Sequence, residues 1–343
     1  MSARAEPGAP TITAAICTAA RPALLRRALA SLAAQTPAPL ELLVVDNGPA
    51  ASRAATRAAV AEAAPAARYV VEPVPGLDFA RNRALAEARG DVVAFLDDDA
   101  VAEPDWVGEL ARVFARDAVG ACTGRVEAFA LATPGQRLFE ANGGFARGER
   151  RVVLPADAAR PLHGRRAPLV AWAISVGSGA SLAVRRVLAL AIGGFDEALD
   201  LGPALPGGGD HDMLWRVLQA GAEVVYEPRV RARHEHRQEL AAACDQIVGH
   251  QRALVALLTK MAATSRGRRR WAVLAFLAWR LAKPGARLAR RLAGRDVLPA
   301  PVLLRMWWHC WRGLGAYPAA RRLAAARRRA AAAPAPPLLE PAA

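Results

Sequence analysis

Along the first hundred residues, short apolar runs alternate with segments in which apolar residues recur at helical spacing. The runs at 11–18, 42–45, 69–71 and 92–96 have the length of β-strands that are buried on both faces. Between the first two, Leu25, Leu29 and Leu32 mark one face of a helix that begins at Pro22. Strands that alternate with helices form right-handed βαβ units. The pattern therefore predicts an α/β fold with a Rossmann-like, mainly parallel sheet flanked by helices.

Beyond residue 100 the pattern is less regular. We predict a helix from Pro104 to about residue 115, strands over 119–129, 175–185 and 223–226, a helix from Asp210, and an amphipathic helix over 240–261. Residues 130–170 carry no clear periodicity. The first strand is not followed by G-x-G-x-x-G, which argues against a domain that binds NAD or FAD.

The excess positive charge of the chain lies in its C-terminal part. The formal net charge is +15, yet residues 1–263 hold 29 Lys and Arg against 29 Asp and Glu. Residues 264–343 hold 17 Lys and Arg against Asp296 and Glu340, and five of the eight tryptophans lie beyond residue 270. Tryptophan and arginine at helical spacing are typical of helices that lie in a membrane interface, and no apolar run reaches the ~18 residues of a spanning helix. We expect 264–330 to bind an anionic membrane surface.

The cysteines and the N-terminal residues favour a cytoplasmic protein. Cys17, Cys122, Cys244 and Cys310 are far apart and show no CxxC spacing, as expected of reduced and mostly buried thiols. The first ten residues contain no apolar segment of the signal-peptide type. With the basic tail, this predicts a peripheral protein on the inner face of the plasma membrane.

Three consecutive carboxylates follow the apolar run 92–96. Asp97, Asp98 and Asp99 repel one another and are costly to bury, so folding alone does not favour them at the end of a buried strand. A divalent cation with a preference for oxygen ligands removes that cost. Ligands of open α/β sheets bind at the carboxyl ends of the strands, where these residues lie. We predict a metal that in turn binds a diphosphate; the alternative is that the three are capping and turn residues before the next helix.

Several short motifs follow one another along the chain. They are ICTAARP at 16–22, VVDN at 44–47, PGLDFARN at 75–82, FLDDD at 95–99, GGFDE at 193–197, GGGDHDM at 207–213 and YEP at 226–228, with His234 after them. No motif is specific alone, but the ordered set resembles the family 2 glycosyltransferases, which have the GT-A fold. The resemblance covers about residues 11–237. It implies transfer of a sugar from a nucleotide diphosphate sugar with inversion at the anomeric carbon.

The resemblance implies a nucleotide site built from the first strands. Thr18 and Arg21 would line it, and Asp46 would accept a hydrogen bond from the base. Arg81 and Asn82 would contact the base or the phosphates. The residues also have plainer explanations. Asp46 could form an Asx turn, and Arg81 could be a charge on an exposed helix face.

The resemblance also implies the reacting groups. Asp97 and Asp98 would face the ribose, while Asp99 and His234 would bind Mg²⁺ or Mn²⁺ or its diphosphate. Asp210 would be the general base that takes the proton of the acceptor hydroxyl. Alternatively, Asp210 could be only the N-cap of its helix, and His234 could form a zinc pair with His236.

The chain departs from the family pattern at three places. Ala20 stands where Asp or Asn is common, Gly209 stands where many members have Glu, and 178–182 lacks an Asn that is often found there. The departure at Ala20 puts a nucleotide contact in question, and that at Gly209 replaces the acid pair Glu-Asp by Gly-Asp. The departure at 178–182 puts a contact with the sugar or the acceptor in question. His211, inside the GGGDHDM motif, is expected at the surface.

Two other function classes remain open. A nucleotidyltransferase shares the sheet and the carboxylate-bound metal but usually has a glycine-rich basic loop after the first strand, and 18–22 has one Arg and no Gly. A non-enzymatic binder could use the arginine tail on nucleic acid or another anionic surface. We expect no nucleic acid, because the tail is apolar and rich in Trp rather than polar.

The expected domain organisation follows from these segments. We expect a flexible N-terminus over 1–10 and a glycosyltransferase domain over 11–238, with a nucleotide-binding half at 11–100 and an acceptor half at 101–238. A basic, Trp-rich helical region at the membrane surface would cover 239–326, and a disordered tail 327–343. The expected acceptor is an envelope or lipid-linked glycan precursor.

Overall fold

The computed structural model of the chain describes residues 9–162 and 166–332. Its first half alternates strands and helices as the apolar pattern predicts: β1 (Ile12–Thr18), α1 (Pro22–Ala33), β2 (Glu41–Asp46), α2 (Arg53–Ala63), β3 (Arg68–Val71), α3 (Leu77–Glu87) and β4 (Val92–Leu96). The four strands are parallel and lie in the order β3-β2-β1-β4. Each crossover helix lets the next strand run in the same direction, so all four carboxyl ends lie at one edge.

The second half extends this sheet with mixed directions. Its elements are β5 (Ala100–Ala102), α4 (Trp106–Phe114), β6 (Val119–Ala128), α5 (Pro134–Ala141), β7 (Val152–Leu154), α6 (Leu169–Ser175), β8 (Ser181–Arg185), α7 (Arg186–Ala191), α8 (Gly209–Gln219) and β9 (Glu223–His234). The order continues β4-β8-β6-β9-β5, and β7 also pairs with β9. β8 is antiparallel to β4 and β6, whereas β6 and β9 are parallel.

Two apolar layers cover the faces of the sheet. Helices α1, α2 and α4 contribute Leu29, Val60 and Leu110 to one layer, and α3, α6 and α8 form much of the other. Side chains of a strand alternate between faces, so Ala15 belongs to the second layer and its neighbour Ile16 to the first. A strand that is apolar at every position is the consequence of burial on both sides.

Four helices follow β9: α9 (Leu240–Thr264), α10 (Gly267–Leu292), α11 (Ala300–Gly313) and α12 (Ala316–Ala332). They pack on the sheet domain, since Leu257, Met261 and Leu277 belong to the same apolar layer as residues of α8. No helix in the described residues is both long and apolar enough to span a membrane. We expected disorder from residue 327, but residues 327–332 belong to α12. The rest of that tail, 333–343, lies outside the described ranges, as do residues 1–8 of the expected flexible N-terminus.

One strand is longer than the sequence pattern predicts. We expected a strand over 223–226 and a loop after Pro228, but β9 continues to His234. The pairing of β6 with β9 shifts between Gly124, opposite Glu227, and Arg125, opposite Arg231. The irregularity lies at Pro228, which cannot donate a ladder hydrogen bond and is tolerated at such bulges. The extension carries His234 to the end of β4.

Candidate functional site

Sheet geometry brings His234 to the three carboxylates. The chain turns after β4 through Asp97–Asp99 and enters β5, which pairs with β9 so that Ala100 lies opposite His234. The amide of Glu235 donates to the carbonyl oxygen of Asp99 at 2.8 Å. As a result, one ligand atom from each of Asp97, Asp99 and His234 lies within 4.8 Å of the others.

The three neighbouring carboxylates have different environments. Asp98 is 0% exposed and turns away from the cluster, where it accepts from Thr18 Oγ1 at 2.6 Å and pairs with Arg21 at 2.5 Å. Burial raises the pKa of Asp98 to about 7, although Arg21 opposes the shift. Burial and then the charge of Asp99 raise the pKa of Asp97. Burial would also raise the pKa of Asp99, but His234 and Arg21 outweigh it and hold that pKa below its usual range.

Asp99 makes two ion pairs at this cluster. Its Oδ2 lies 2.7 Å from Arg21 Nη1, and its Oδ1 lies 3.2 Å from His234 Nε2. His234 continues the network on its other nitrogen: its Nδ1 lies 3.1 Å from His236 Nδ1, and His236 Nε2 lies 3.0 Å from Glu140. An imidazole whose second nitrogen is already hydrogen-bonded has a defined orientation and tautomer, as histidine ligands of metals require.

The cluster fits a divalent cation. Two carboxylates and one imidazole form a donor set that Mn²⁺ accepts, and carboxylate oxygens also suit Mg²⁺. The structure brings Asp97 into the cluster, while Asp98 pairs with Thr18 and Arg21 instead. The contact of Asp97 and Asp98 with the ribose stays a prediction. For a zinc site, His236 would have to share a metal with His234, but its nitrogens face His234 and Glu140 instead.

Asp210 lies in the first turn of α8, on the side of the site that faces β8. Its Oδ2 accepts from the amide of Gly179 at 2.7 Å, and its Oδ1 accepts from the amide of His211 at 2.8 Å. The N-cap of α8 is Gly208, at φ 106°, so Asp210 is not the capping residue. Burial would raise the pKa of Asp210, but His211 and Arg81 outweigh it and lower that pKa.

His211 is not a surface residue. Its side chain is 24% exposed, and its Nδ1 lies 3.0 Å from Asp210 Oδ1. Burial alone would lower the pKa of His211, but the charge of Asp210 outweighs burial and raises it. Each member of the pair therefore stabilises the charged form of the other.

Arg81 is buried among carboxylates rather than exposed on a helix face. Its Nη1 lies 2.9 Å from Asp78 Oδ1 and 3.5 Å from Asp200 Oδ2. Asp97 and Asp210 also raise the pKa of Arg81, against the effect of burial. One guanidinium thus offsets the charge of several acids, among them one from the metal cluster and one from the start of α8.

Glycines leave room for these side chains. A Cβ on Gly179 would lie 2.8 Å from Arg81 Nη2 and 3.2 Å from Asp210 Oδ2. A Cβ on Gly209 would lie 1.9 Å from Asp78 Oδ2. A side chain at 209, where many family members have Glu, is therefore incompatible with Asp78 in its present position.

Two predicted nucleotide contacts have all their polar atoms occupied by the protein. Asp46 accepts from the amide of Gly48 at 2.8 Å and from the hydroxyl of Tyr69 at 2.6 Å, which includes the Asx turn considered above. The amide group of Asn82 contacts the backbone of Phe195 at 2.7 and 3.0 Å and Glu197 at 3.1 Å. Both residues support the loops around the site in this structure.

Sequence reasoning missed several residues of this site. They are Asp78, Asp200, Glu140 and Arg147, and His236 was expected there only as a zinc partner of His234. Asp78 carried a usable signal, because it precedes Arg81 by one helical turn and an i,i+3 acid pairs with an arginine on the same face. Glu140 lies in the region 130–170, where no periodicity was found, and Asp200 lies in a loop at φ 48°. Glu140 and Asp200 come close to the site only through tertiary contacts.

Comparison with known proteins agrees with this geometry. The model of glycosyl transferase family 2 matches residues 13–188. A pre-mycofactocin glycosyltransferase of Mycobacterium tuberculosis is 30% identical over 162 residues, which are 47% of this chain and 30% of that protein. A glucosyl-dolichyl phosphate glucuronosyltransferase of Haloferax volcanii is 34% identical over 80 residues, 23% of this chain and 26% of that protein. The aligned segments thus span less than a third of these curated relatives.

Among solved structures, a mannosyltransferase of Pyrobaculum calidifontis, determined in complex with GDP-Man and Mn²⁺, superimposes with a TM-score of 0.56. The two chains are 20% identical, and the match covers 94% of this chain and 86% of the other. At this identity the likeness establishes the fold, and the expected GT-A architecture is confirmed. Because the family match covers just over half of the chain, this protein belongs to glycosyl transferase family 2.

Proposed function

We propose that this protein transfers a sugar from a nucleotide diphosphate sugar to a hydroxyl group of an acceptor. The observation that carries the proposal is the convergence of Asp97, Asp99 and His234 at the carboxyl edge of the sheet. Arg81 and Asp210 meet at Gly179, where an added Cβ would lie 2.8 Å from Arg81 Nη2 and 3.2 Å from Asp210 Oδ2. The amide of Asp97 donates to the next carbonyl oxygen, that of Ala180, at 3.3 Å. A site for a metal and diphosphate therefore adjoins a candidate base.

The chemistry we propose is a single displacement. Asp210 takes the proton of the acceptor hydroxyl as its oxygen attacks the anomeric carbon, and the bond to the diphosphate breaks on the opposite face. His211 and Arg81 keep Asp210 ionised, so it can accept a proton at neutral pH. Attack opposite the leaving group inverts the configuration. A bound Mg²⁺ or Mn²⁺, held by Asp97, Asp99 and His234, supplies Lewis-acid stabilisation of the diphosphate.

The domain division supports the same proposal. Residues 11–100 would form the nucleotide-binding half, with Thr18 and Arg21 beside Asp98 and Asp99 at its edge. Residues 101–238 would form the acceptor half, which contributes Asp210 and His234. Asp46 has one hydrogen bond at each carboxylate oxygen and could accept a further one from the donor, whereas Asn82 is held by Phe195 and Glu197.

A nucleotide-binding panel tests the proposal directly. The full chain is heated with a series of nucleoside diphosphates in the presence and absence of Mn²⁺, because a ligand that binds only the native state raises the melting temperature. We expect a shift that requires Mn²⁺ and that disappears in Asp99→Ala. The control is Asp117→Asn, an exposed acid outside the site. A shift that persists in Asp99→Ala, or one that needs a nucleoside triphosphate, would contradict the proposal.

We further propose that the C-terminal helices bind an anionic membrane. On α11, Leu304, Trp307, Trp308 and Trp311 recur at helical spacing and are 51%, 38%, 64% and 52% exposed. The opposite face of α11 carries Leu303 and Met306, which are buried, so the core of the protein does not account for this second apolar face. Exposed apolar patches with a basic rim are typical of interfacial helices.

The patch continues onto α10. A Cβ on Gly285 would lie 3.4 Å from the ring of Trp307, so the outer faces of the two helices adjoin. Trp271 and Trp279 are 73% and 49% exposed on α10. The exposed Arg268–Arg270 segment supplies positive charge at its start. On this proposal the protein is peripheral on the cytoplasmic face of the membrane, and its acceptor is a lipid-linked or other envelope glycan precursor.

A further inference from the structure

The loop between α5 and β7 carries a half-buried arginine to the side of the site. Gly143, Gly144 and Gly148 have φ values of 117°, 42° and 91°, a conformation that glycine adopts at little cost. Within the loop, Phe145 packs edge-on against the ring of His234, with ring centroids 5.0 Å apart. This contact fixes the loop on the metal-cluster histidine, and Arg147 follows two residues later.

Among the described residues, Arg147 is a cation without an acidic partner. Its Nη1 donates to the carbonyl oxygens of Gly143, Gly144 and Ala146 at 3.2, 3.1 and 3.4 Å. Its Nε is buried and has no hydrogen-bond partner, and among the described residues no carboxylate lies within 4.0 Å of its nitrogens. Arg21 and Arg81, by contrast, each pair with two carboxylates. A buried charge that is left unpaired costs free energy, which a bound anion would offset.

The surroundings of Arg147 distinguish the acceptor side from the donor side. Burial lowers its pKa, and the charges that oppose this shift belong to Tyr226, Asp210 and Glu140. Arg147 in turn lowers the pKa of His211. The cations that act on Asp97 and Asp99 are instead Arg81, His234, Arg21 and Arg237. The charges of Asp210 and His211 thus interact with Arg147, and Phe145 of the same loop contacts His234.

We propose that Arg147 binds an anionic group, a phosphate or a carboxylate, on the acceptor, close to the hydroxyl that receives the sugar. The inference rests on the proposed function, since it takes Asp210 as the base that meets that hydroxyl. A guanidinium binds such groups through two parallel hydrogen bonds, which orient as well as attract. The group would hold the acceptor hydroxyl at Asp210, and a neutral acceptor of the same shape would bind more weakly.

The test uses the full chain saturated with Mn²⁺ and the nucleoside diphosphate that gives the largest thermal shift. Inorganic phosphate and glycerol 3-phosphate are the probes, and glycerol is the neutral counterpart. Binding is measured for the unaltered protein, Arg147→Gln, Arg147→Lys and the control Arg150→Gln, which removes an exposed charge three residues away. We expect both anions to bind, glycerol not to bind, and Arg147→Gln to weaken anion binding about tenfold or more. Arg147→Lys should recover part of the affinity, and Arg150→Gln should match the unaltered chain.

Each other outcome has a definite meaning. If Arg147→Gln weakens binding of the nucleoside diphosphate and leaves binding of the two anions unchanged, the anion at Arg147 is the donor diphosphate. The assignment of Arg147 to the acceptor is then wrong. Failure of the unaltered protein to bind either anion also overturns it. If the protein binds no nucleotide, the proposed function fails, and the same anion titrations in the absence of nucleotide still decide whether Arg147 is an anion site.

Discussion

At the scale of single residues, the site shows how neighbouring acids come to differ. Asp97, Asp98 and Asp99 are adjacent in sequence, yet burial raises the pKa of Asp98 to about 7 while His234 and Arg21 lower that of Asp99. The difference arises because the chain turns between them, so that Asp98 faces Thr18 and Asp99 faces His234. The residue type and its position in the sequence therefore do not fix the pKa of each carboxylate, because that pKa depends on the partners of its oxygens.

Asp210→Asn is expected to retain binding of the nucleoside diphosphate and to lower kcat by about 10² or more. The side-chain amide oxygen at position 210 still accepts the hydrogen bond from the backbone of Gly179, but the amide cannot take a proton from the acceptor hydroxyl. Steady-state kinetics and the thermal-shift panel measure the two effects separately. Near-normal turnover would remove the assignment of Asp210 as the base.

His211 makes stability depend on pH. Its pKa is raised in the folded protein above the ordinary 6.5, so protonated His211 contributes stability that is fully present below 6.5 and is lost as pH rises through the folded value. Urea unfolding of the unaltered chain and of His211→Asn is compared from about pH 5 to about pH 9. We expect the difference in the free energy of unfolding to shrink as pH rises.

His250→Asn is the matched control for this experiment. Burial lowers the pKa of His250 to about 4 from its ordinary 6.5, so between these values the unfolded chain binds a proton that the folded chain does not. The stability difference between the unaltered chain and His250→Asn should therefore change with pH in the opposite direction to that of His211→Asn, and be constant above about pH 7. A difference for His211→Asn that does not change with pH would mean that the Asp210–His211 pair does not stabilise the imidazolium.

At the scale of elements, the C-terminal helices are joined to the sheet domain by buried polar contacts as well as apolar packing. Lys260 of α9 lies 2.6 Å from Asp196 and 2.6 Å from Asp212 of α8. Tyr317 of α12 donates to Asp196 at 2.6 Å. Asp212 is 1% exposed, and Arg216 is its other ion-pair partner, at 2.7 Å. The charges that connect α8, α9 and α12 thus form one network.

Lys260→Met should lower the free energy of unfolding by about 1–3 kcal/mol, because it leaves two largely buried carboxylates with fewer partners. Chemical denaturation measures the change. Arg305→Met is the control, since both members of the Arg305–Asp245 pair are exposed, at 51% and 64%, and such pairs contribute little. Equal effects of the two substitutions would show that the Lys260 network is no stronger than a surface pair.

At the scale of the whole molecule, the basic C-terminal region is not a separable appendage. Val273 of α10, Cys310 of α11 and Ala320 of α12 belong to the same apolar layer as the sheet domain. Deletion of residues 264–343 would uncover that layer, so a truncated chain would not report on membrane binding alone. Substitutions on the exposed face of α11 avoid this difficulty.

The double substitution Trp308→Ala and Trp311→Ala is expected to weaken binding to anionic phosphatidylglycerol vesicles about tenfold or more. Each substitution removes an exposed ring whose apolar area the membrane interface would bury. Vesicle co-sedimentation measures the loss, and salt should weaken the binding that remains. The control is Val187→Ala with Leu190→Ala, two exposed apolar residues of α7, at 70% and 43%. Unchanged sedimentation of the tryptophan variant would place the membrane contact elsewhere or exclude it.

How much of this protein could be predicted from its sequence depends on the range of the interactions involved. The alternation of strands and helices over residues 11–96 is local periodicity, and the structure reproduces it element by element. The predicted length of β9 was too short, because Pro228 is tolerated at a bulge and only pairing with β6 creates that bulge. Residues 130–170 gave no signal because α5, β7 and α6 are short elements that the rest of the chain holds in place.

The class of fold, the acidic end of β4 and the uneven distribution of charge can be read from the chain alone, because each follows from residues that are neighbours along it. Folding adds what the chain alone does not show: Asp97 joins Asp99 and His234, Asp78 and Asp200 pair with Arg81, and Arg147 has no acidic partner among the described residues. These contacts join segments far apart in sequence, and the charge of a buried group depends on what surrounds it in space.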